Sequence, residues 1–239
     1  MAEAVQVPKL AMGGRQIPES PRHSAIVRIT HWITALCFLA FFLTGTIILL
    51  AHPRLYLGEA GNETLPSLID LPLPFIPHIP LRGESRALHF VAAWVSVLAG
   101  LAYVIAGVFM RHFSRNLLPG KRDLTWDTIR QTVRKHLQRP LPQEAESYNL
   151  LQRLTYLAVV FFLFPLAVWT GLAMSPGLTS VFPTLALVFG GHQSARTIHF
   201  FTAFALVLFL ILHITMVSLA GFRSRVRAMI TGRCGPGGA

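Results

Sequence analysis

The sequence has few acidic residues, almost no cysteine and none of the common catalytic signatures. It contains 10 Asp and Glu against 21 Lys and Arg, and its 2 cysteines are Cys37 and Cys234. Because Cys37 lies within an apolar run and Cys234 within a polar tail, a disulfide bond between them is excluded. No Cys-x-x-Cys-His motif occurs, so covalent haem attachment is excluded, and no Walker, dinucleotide-binding or paired-carboxylate motif is present either.

Apolar residues, in contrast, are abundant. Of the 239 residues 53% are hydrophobic and 13% are charged, and the mean hydropathy is +0.53, which favours a membrane protein. Four runs are long enough to cross a bilayer, at residues 26–51, 87–110, 154–174 and 196–221. The sequence therefore predicts an all-α integral membrane protein: a four-transmembrane-helix bundle over 26–221, with tails 1–25 and 222–239, in a single membrane domain 1–239. The first 24 residues are polar and the first run exceeds a signal-peptide core, so we expect no cleaved signal peptide.

The net charge of +11 is concentrated on one side of this four-helix arrangement. Seventeen of the 21 basic residues lie before or at the start of the first run, between the second and third, or after the fourth. The positive-inside rule places those segments in the cytoplasm, so both termini are expected inside. Because the basic residues flank the spans instead of forming one recognition face, we expect contact with membrane lipid and no nucleic-acid partner.

The connections between the runs differ in composition. The first outer connection, about residues 52–86, is rich in proline and also apolar, which predicts an ordered cap that either docks a partner or covers its own helix ends. The inner connection, 111–153, contains an amphipathic stretch at 123–139 that suits a helix in the headgroup plane or a solvated helix on the bundle. The second outer connection, 175–195, should be a short structured loop with about one turn of helix.

Four histidines lie inside the apolar runs. His199 and His213 are fourteen residues apart on the fourth run, which is close to four helical turns and about 21 Å, so both point the same way. His31 opens the first run near the inner face, and His89 opens the second near the outer face. Depth therefore pairs His89 with His199 and His31 with His213. Each pair suits the iron of a haem bound by two imidazoles, while the alternative is that each histidine only hydrogen-bonds a neighbouring helix.

A repeated spacing supports the ligand interpretation. The pattern Arg-x-x-His followed by an aromatic residue occurs at Arg28–Trp32, Arg86–Phe90 and Arg196–Phe200. Residues three apart share a helix face, so each arginine lies one turn nearer the surface than its histidine, where haem propionates would lie. The alternative is that arginines flank membrane helices in any case. Gly45, Gly100 and Gly107 would give a flat ring close access to the backbone, or serve ordinary helix packing.

These features together resemble a known family. The resemblance rests on His31-Trp32, on Arg86-x-x-His89-Phe90, and on His199 with His213, and it covers residues 22–225. The chain is similar to the bacterial di-haem cytochromes b of the cytochrome b561 family, which include formate dehydrogenase gamma subunits, nickel–iron hydrogenase b-type subunits and thiosulfate-reductase-type cytochromes. The resemblance implies two haem b groups held between helices 1, 2 and 4, in a multi-pass protein of the bacterial cytoplasmic (inner) membrane.

The resemblance also implies a function. Such a subunit passes electrons across the membrane between a periplasm-facing oxidoreductase subunit, of the molybdenum or hydrogenase type with the former preferred, and the quinone pool of a respiratory chain. In the formate dehydrogenase relatives an Asn-x-Gly-Gln motif lines the quinone site. Here Asn149 and Gln152 match it while Leu151 replaces the glycine, and the two amides would either bind quinone or cap the third helix.

Two other functions remain open at the level of sequence. One is a partnerless enzyme similar to the cytochromes that oxidise superoxide at the outer face and reduce quinone. The proline-rich outer connection counts against it, because such an enzyme needs an open, basic funnel above the outer haem. The other is a haem transport or assembly module, which predicts sites that release haem, whereas paired ligands on rigid helices predict retention.

Overall fold

The computed structural model describes residues 24–61, 65–73, 81–110, 130 and 150–232. Within them four helical segments are long and apolar enough to cross a membrane, at Ala25–Ala51, Arg82–Phe109, Leu154–Ala173 and His192–Leu219. The first two are α1 and α2. The third consists of α3 (Leu150–Ala158), a π-helical turn (Val159–Leu163) and α4 (Phe164–Ala173), and the fourth long helix, His192–Leu219, is α7. The four spans predicted from hydropathy are confirmed as helices.

Three of the helices begin four or five residues earlier than the apolar runs suggest. Helix α2 starts at Arg82 instead of residue 87, α3 at Leu150 instead of residue 154, and α7 at His192 instead of residue 196. Their first turns carry polar or charged residues. One of them, Glu84 of α2, interacts favourably with the positive N-terminal end of the helix dipole. A hydropathy window passes over such turns, so the predicted connection 52–86 shortens to 52–81.

The third span is interrupted by a π-helical turn next to a proline. Pro165 has no backbone N–H to donate within the helix, and the turn over Val159–Leu163 lies directly before it. The N–H of Phe164 bonds to the carbonyl of Val159, five residues back. Such a turn holds one residue more than regular helix does, so the span continues past the proline without breaking.

Small residues form the contacts between neighbouring spans. Helix α1 packs along α2, and α4 packs along α7. The buried positions of α2 share small size and regular spacing: Ser85, Ala92, Ser96, Ala99 and Gly107. Large apolar side chains such as Leu98 and Phe204 are more than 60% exposed. This inverted distribution is what lipid-facing helices require, because lipid tails take up the large residues and small residues let backbones approach.

The end of the bundle where α1 ends and α7 begins, called here the hairpin end, is covered by ordered chain. Strands β1 (Arg54–Leu55) and β2 (Ile69–Asp70) pair antiparallel, and Leu55 is fully buried. The second connection forms two single-turn helices, α5 (Pro176–Thr179) and α6 (Thr184–Leu187), one more than expected. Pro176 and Pro183 start these turns, since the fixed φ of proline suits a first helical turn.

The opposite end carries a helix within the segment 222–239, which was predicted to be a tail. Helix α8 (Phe222–Thr231) begins after Gly221, whose φ is +95°, and ends at Gly232, whose φ is +80°. The start of α1 contacts its last turn: Arg28 Nη1 donates to the carbonyl of Ile230 at 2.8 Å, and Trp32 Nε1 donates to that of Met229 at 3.2 Å. The amphipathic stretch predicted at 123–139 lies outside the described residues except for residue 130, which is helical.

Candidate functional site

The first histidine pair lies toward the hairpin end, between α2 and α7. The rings of His89 and His199 have centroids 6.3 Å apart and planes inclined by 60°. His89 also packs against Phe41 of α1, at 5.0 Å between centroids. The two imidazoles therefore face each other across a gap bounded by three helices.

The second pair lies toward the α8 end, between α1 and α7. His31 and His213 have centroids 6.3 Å apart and planes inclined by 52°. Phe209 stacks on His213 at 5.8 Å and an interplanar angle of 28°, and Tyr156 of α3 approaches its edge at 6.4 Å. The structure thus brings together the same two pairs that depth along the helices predicts.

The separation within each pair suits an ion held between two rings. An imidazole nitrogen bonds a transition metal at about 2 Å, so two imidazoles on opposite sides of one ion have ring centres about 6 Å apart. Among the described residues no cluster of three or more His, Cys, Asp or Glu side chains could hold a bare metal ion. Two ligands per site therefore fit a prosthetic group that supplies the remaining ligands itself, as a porphyrin does for its iron.

Two threonines orient the rings of the pair at the hairpin end. Thr44 Oγ1 of α1 lies 2.9 Å from His89 Nδ1, and Thr170 Oγ1 of α4 lies 2.9 Å from His199 Nδ1. Both threonines are buried, with 3% and 0% of their surface exposed. The sequence reading missed both residues, although each stands in a Thr-Gly dipeptide inside an apolar run.

The glycine of each dipeptide lies against the same ring as its threonine. A Cβ atom placed on Gly45 would be 3.8 Å from His89 Cε1, and one on Gly171 would be 3.6 Å from His199 Cε1. Gly100, in contrast, makes room for a protein side chain, because a Cβ there would lie 3.1 Å from Phe164 Cε1. Gly45 therefore lies at the depth of this pair, as expected, while Gly100 serves helix packing.

The three arginines predicted to face propionates have different surroundings. Arg28 bonds to α8 and is half-buried, and its Nε is buried without a partner among the described residues. Arg86 is exposed near the start of α2. Arg196 donates from Nη1 to the carbonyl of Arg54 at 2.9 Å and from Nη2 to the carbonyl of His52. Arg28 and Arg196 thus have backbone partners besides any role toward a prosthetic group.

A basic cluster surrounds His52 at the hairpin end. Arg82 Nη2 donates to His52 Nε2 at 2.6 Å, which requires that nitrogen to be unprotonated because arginine is only a donor. Partial burial, followed by the nearby charges of Arg82, Arg196 and Arg86, lowers the pKa of His52 below its usual value of 6.5. His52 is therefore a neutral structural residue at physiological pH and not one of the paired histidines.

The predicted quinone residues are only partly covered by the structure. Asn149 lies outside the described residues. Gln152 belongs to α3, whose backbone begins at Leu150, but the structure does not describe its side chain. Their role beside the His31 and His213 pair stays a prediction.

The fold and the two histidine pairs define a class, the multi-pass helical membrane proteins that carry bis-histidine sites between their spans. Within that class, the family described as prokaryotic cytochrome b561 matches residues 22–232. The chain belongs to this family, as the resemblance of its motifs predicted. It is a membrane cytochrome of the b type, a class that binds haem without covalent attachment.

Curated relatives cover most of the chain. A protein of Azospira oryzae, named as a putative protein-methionine-sulfoxide reductase subunit YedZ1, is 26% identical over 82% of this chain and 90% of its own length. A protein of Cupriavidus necator, named as a probable Ni/Fe-hydrogenase B-type cytochrome subunit, is 24% identical over 92% and 88%. One of the same name from Azotobacter chroococcum is 25% identical over 85% and 82%. No solved structure matches significantly.

Proposed function

We propose that the protein is a di-haem electron-transfer subunit that connects a redox enzyme outside the cytoplasmic membrane with the quinone pool inside it. The observation that carries the proposal is the presence of two facing histidine pairs, each with ring centroids 6.3 Å apart, at two depths of one bundle. One haem b is assigned to His89 and His199, and the other to His31 and His213.

The two histidines of each pair project from different helices, which hold them rigidly. His199 and His213 project from one uninterrupted helix, and their partners come from α2 and α1. An iron held by two imidazoles would exchange electrons without binding oxygen, and that is the chemistry the group would supply when bound. Arg28, Arg86 and Arg196, each one turn from a paired histidine, are assigned to the propionates, where charge-assisted bonds would offset the buried carboxylates.

The direction across the membrane follows from charge. The segments at the α8 end carry most of the basic residues, so we place that end and both termini in the cytoplasm and the hairpin end outside. The haem at His89 and His199 would then exchange electrons with the outer partner, and the one at His31 and His213 with quinone beside Asn149 and Gln152. The relatives' names support a redox partner, since all three are described as enzyme subunits.

The visible spectrum and haem content of the purified protein test this proposal. We expect the reduced bands of a low-spin b-type cytochrome with two haems per chain. His89→Ala and His199→Ala should remove the same haem, and His31→Ala and His213→Ala the other. His192→Ala, at the start of α7, is the control and should keep both. A colourless protein, or one whose absorbance survives all four changes, would contradict the assignment.

The partner is tested from the native membrane. Extraction in mild detergent should retain a second redox subunit that crosslinks to the hairpin end, where Glu59 and the loop around α5 and α6 form an open pocket of about 370 Å³. A chain that is isolated alone and reduces quinone without a second subunit would contradict the partner assignment and support a self-sufficient enzyme.

A further inference from the structure

The chain contains two similar helix pairs that meet at the outer histidines. The motif Arg86-x-x-His89-Phe90 lies one turn after the start of α2, and Arg196-x-x-His199-Phe200 lies one turn after the start of α7. The preceding span carries Thr44-Gly45 in one case and Thr170-Gly171 in the other. In each pair the Thr-Gly dipeptide contacts the histidine of the following long helix.

The π-helical turn keeps this correspondence in register. His31 of α1 and Tyr156 of α3 both face His213, with ring centroids 6.3 and 6.4 Å from it. From His31 to Thr44 the chain advances thirteen residues, whereas from Tyr156 to Thr170 it advances fourteen. The additional residue falls in the span that contains the π-helical turn Val159–Leu163, which takes up one residue. Thr170 therefore reaches the same position against His199 that Thr44 has against His89.

The hydroxyl geometry fixes which ring nitrogen carries hydrogen. Thr44 Oγ1 is 2.6 Å from the carbonyl of Ala40, and Thr170 Oγ1 is 2.7 Å from the carbonyl of Leu166. A carbonyl only accepts, so the single hydroxyl proton is donated there. The contact with the imidazole must then be donated by Nδ1–H, which leaves Nε2 of both rings with a free lone pair.

We propose that Thr44 and Thr170 are positioning residues that hold His89 and His199 in the Nδ1–H tautomer and aim both Nε2 atoms at one iron. The proposal rests on the haem assignment made above. A ligand imidazole whose other nitrogen donates a hydrogen bond is fixed in orientation and is a stronger base. A stronger base stabilises ferric iron, so both hydroxyls keep the midpoint potential of the outer haem low.

The test is a redox titration of the holoprotein followed in the visible bands, together with electron paramagnetic resonance of the oxidised form. The variants are Thr44→Val and Thr170→Val, which keep the shape and remove the hydroxyl, and Thr44→Ser and Thr170→Ser, which keep the hydroxyl. Each valine change should shift the outer haem to a more positive potential and alter its resonance signal, while the inner haem is unchanged. Each serine variant should have a midpoint potential and a resonance signal closer to those of the wild type than the matching valine variant has.

Thr202→Val is the matched control. Thr202 is equally buried, at 4% exposed, and its hydroxyl makes the same helical bond to the carbonyl of Ile198, but the structure records no imidazole partner for it. If the valine variants lose the outer haem, we expect their affinity for haem to fall roughly tenfold or more. The serine variants and Thr202→Val should retain the outer haem.

Two results would overturn the proposal. One is an unchanged potential and resonance signal in valine variants that hold both haems. The other is an equal shift or equal loss in Thr202→Val or in the serine variants, which would indicate a packing effect. Failure of the haem assignment itself is distinguishable, because the wild-type protein would then lack two haems before any threonine is changed.

Discussion

Arg196 is joined to the backbone of Arg54 by a 2.9 Å hydrogen bond from Nη1, while its Nη2 donates to the carbonyl of His52. These bonds attach the chain that leaves α1 to the first turn of α7, one turn before His199. Thr197 adds a buried bond to the carbonyl of Tyr56 at 2.6 Å. These bonds at the hairpin end therefore fix the first turns of α7, next to His89 and His199.

Replacing Arg196 should loosen this end more than replacing an exposed arginine would. We expect Arg196→Gln to lower the free energy of unfolding by about 2 kcal/mol, because two hydrogen bonds from a charged, half-buried donor are lost. The control is Arg54→Gln: the Arg54–Asp70 ion pair at 3.3 Å is exposed at 48% and 63%, and such pairs contribute about 0–1 kcal/mol. Thermal unfolding in detergent measures both. Equal destabilisation would show that Arg196 is not the stronger link.

Acidification should destabilise the hairpin end through His52. Its pKa is lowered, by partial burial first and by Arg82, Arg196 and Arg86 next, so the folded protein resists protonation that the unfolded chain accepts at about 6.5. The stability contributed by neutral His52 is therefore complete above pH 6.5 and is lost as the pH falls below it. Protonation would also replace the bond from Arg82 by repulsion.

The pH dependence of unfolding measures this effect. Between pH 7.5 and 5.5 the wild type should lose more stability than His52→Asn, whose side chain does not titrate in that range. Parallel profiles for the wild type and His52→Asn would mean that His52 contributes nothing to the acid sensitivity.

The sequence predicted the spans and the histidine pairing for a physical reason. A bilayer imposes a fixed length on apolar runs and a fixed direction on successive helices, so His199 and His213 had to lie at different depths of the same face. Depth alone then assigned a partner to each. The starts of α2, α3 and α7 were misplaced because their first turns carry polar or charged residues.

Other features depended on contacts that no local pattern encodes. Thr44 and Thr170 are ordinary helix residues until the following span brings an imidazole to 2.9 Å. Helix α8 has a mixed composition, and it is completed by bonds from Arg28 and Trp32, about two hundred residues away in sequence. The π-helical turn could not be predicted either, because its position depends on where Pro165 lies relative to the histidine pair.

The glycines beside the outer histidines should tolerate one methyl group but not a larger side chain. A Cβ on Gly171 would meet His199 Cε1 at 3.6 Å, an ordinary contact, whereas further carbons would enter the space of the ring. We expect Gly171→Ala to keep both haems and Gly171→Leu to lose the outer one, measured by haem content. Gly177→Leu is the control, since a Cβ there meets nothing within 4 Å. Full haem content in Gly171→Leu would contradict the close packing.

Helix α8 should open more readily when its bonds to α1 are removed. The indole N–H of Trp32 and the guanidinium of Arg28 satisfy two carbonyls of its last turn, which would otherwise lack helical partners. In Trp32→Phe one such bond is lost at a cost of about 1 kcal/mol, which raises the open population about fivefold. Trypsin cleavage after Arg225 and Arg227, followed by mass spectrometry, should accelerate by that factor.

The control for this measurement is Trp94→Phe, because Trp94 lies on α2 with 58% of its surface exposed. Its cleavage rate should equal that of the wild type. Arg28→Gln should accelerate cleavage at least as much as Trp32→Phe, since a charged donor makes the stronger bond. His31 lies between Arg28 and Trp32 on the first turns of α1, which α8 contacts. If α8 stabilises these turns, binding of haem at His31 should in return slow the cleavage of α8 in the wild type. Cleavage rates unchanged by both substitutions would show that the two hydrogen bonds do not hold α8 closed and that packing, with Ala228 3% exposed, does so instead.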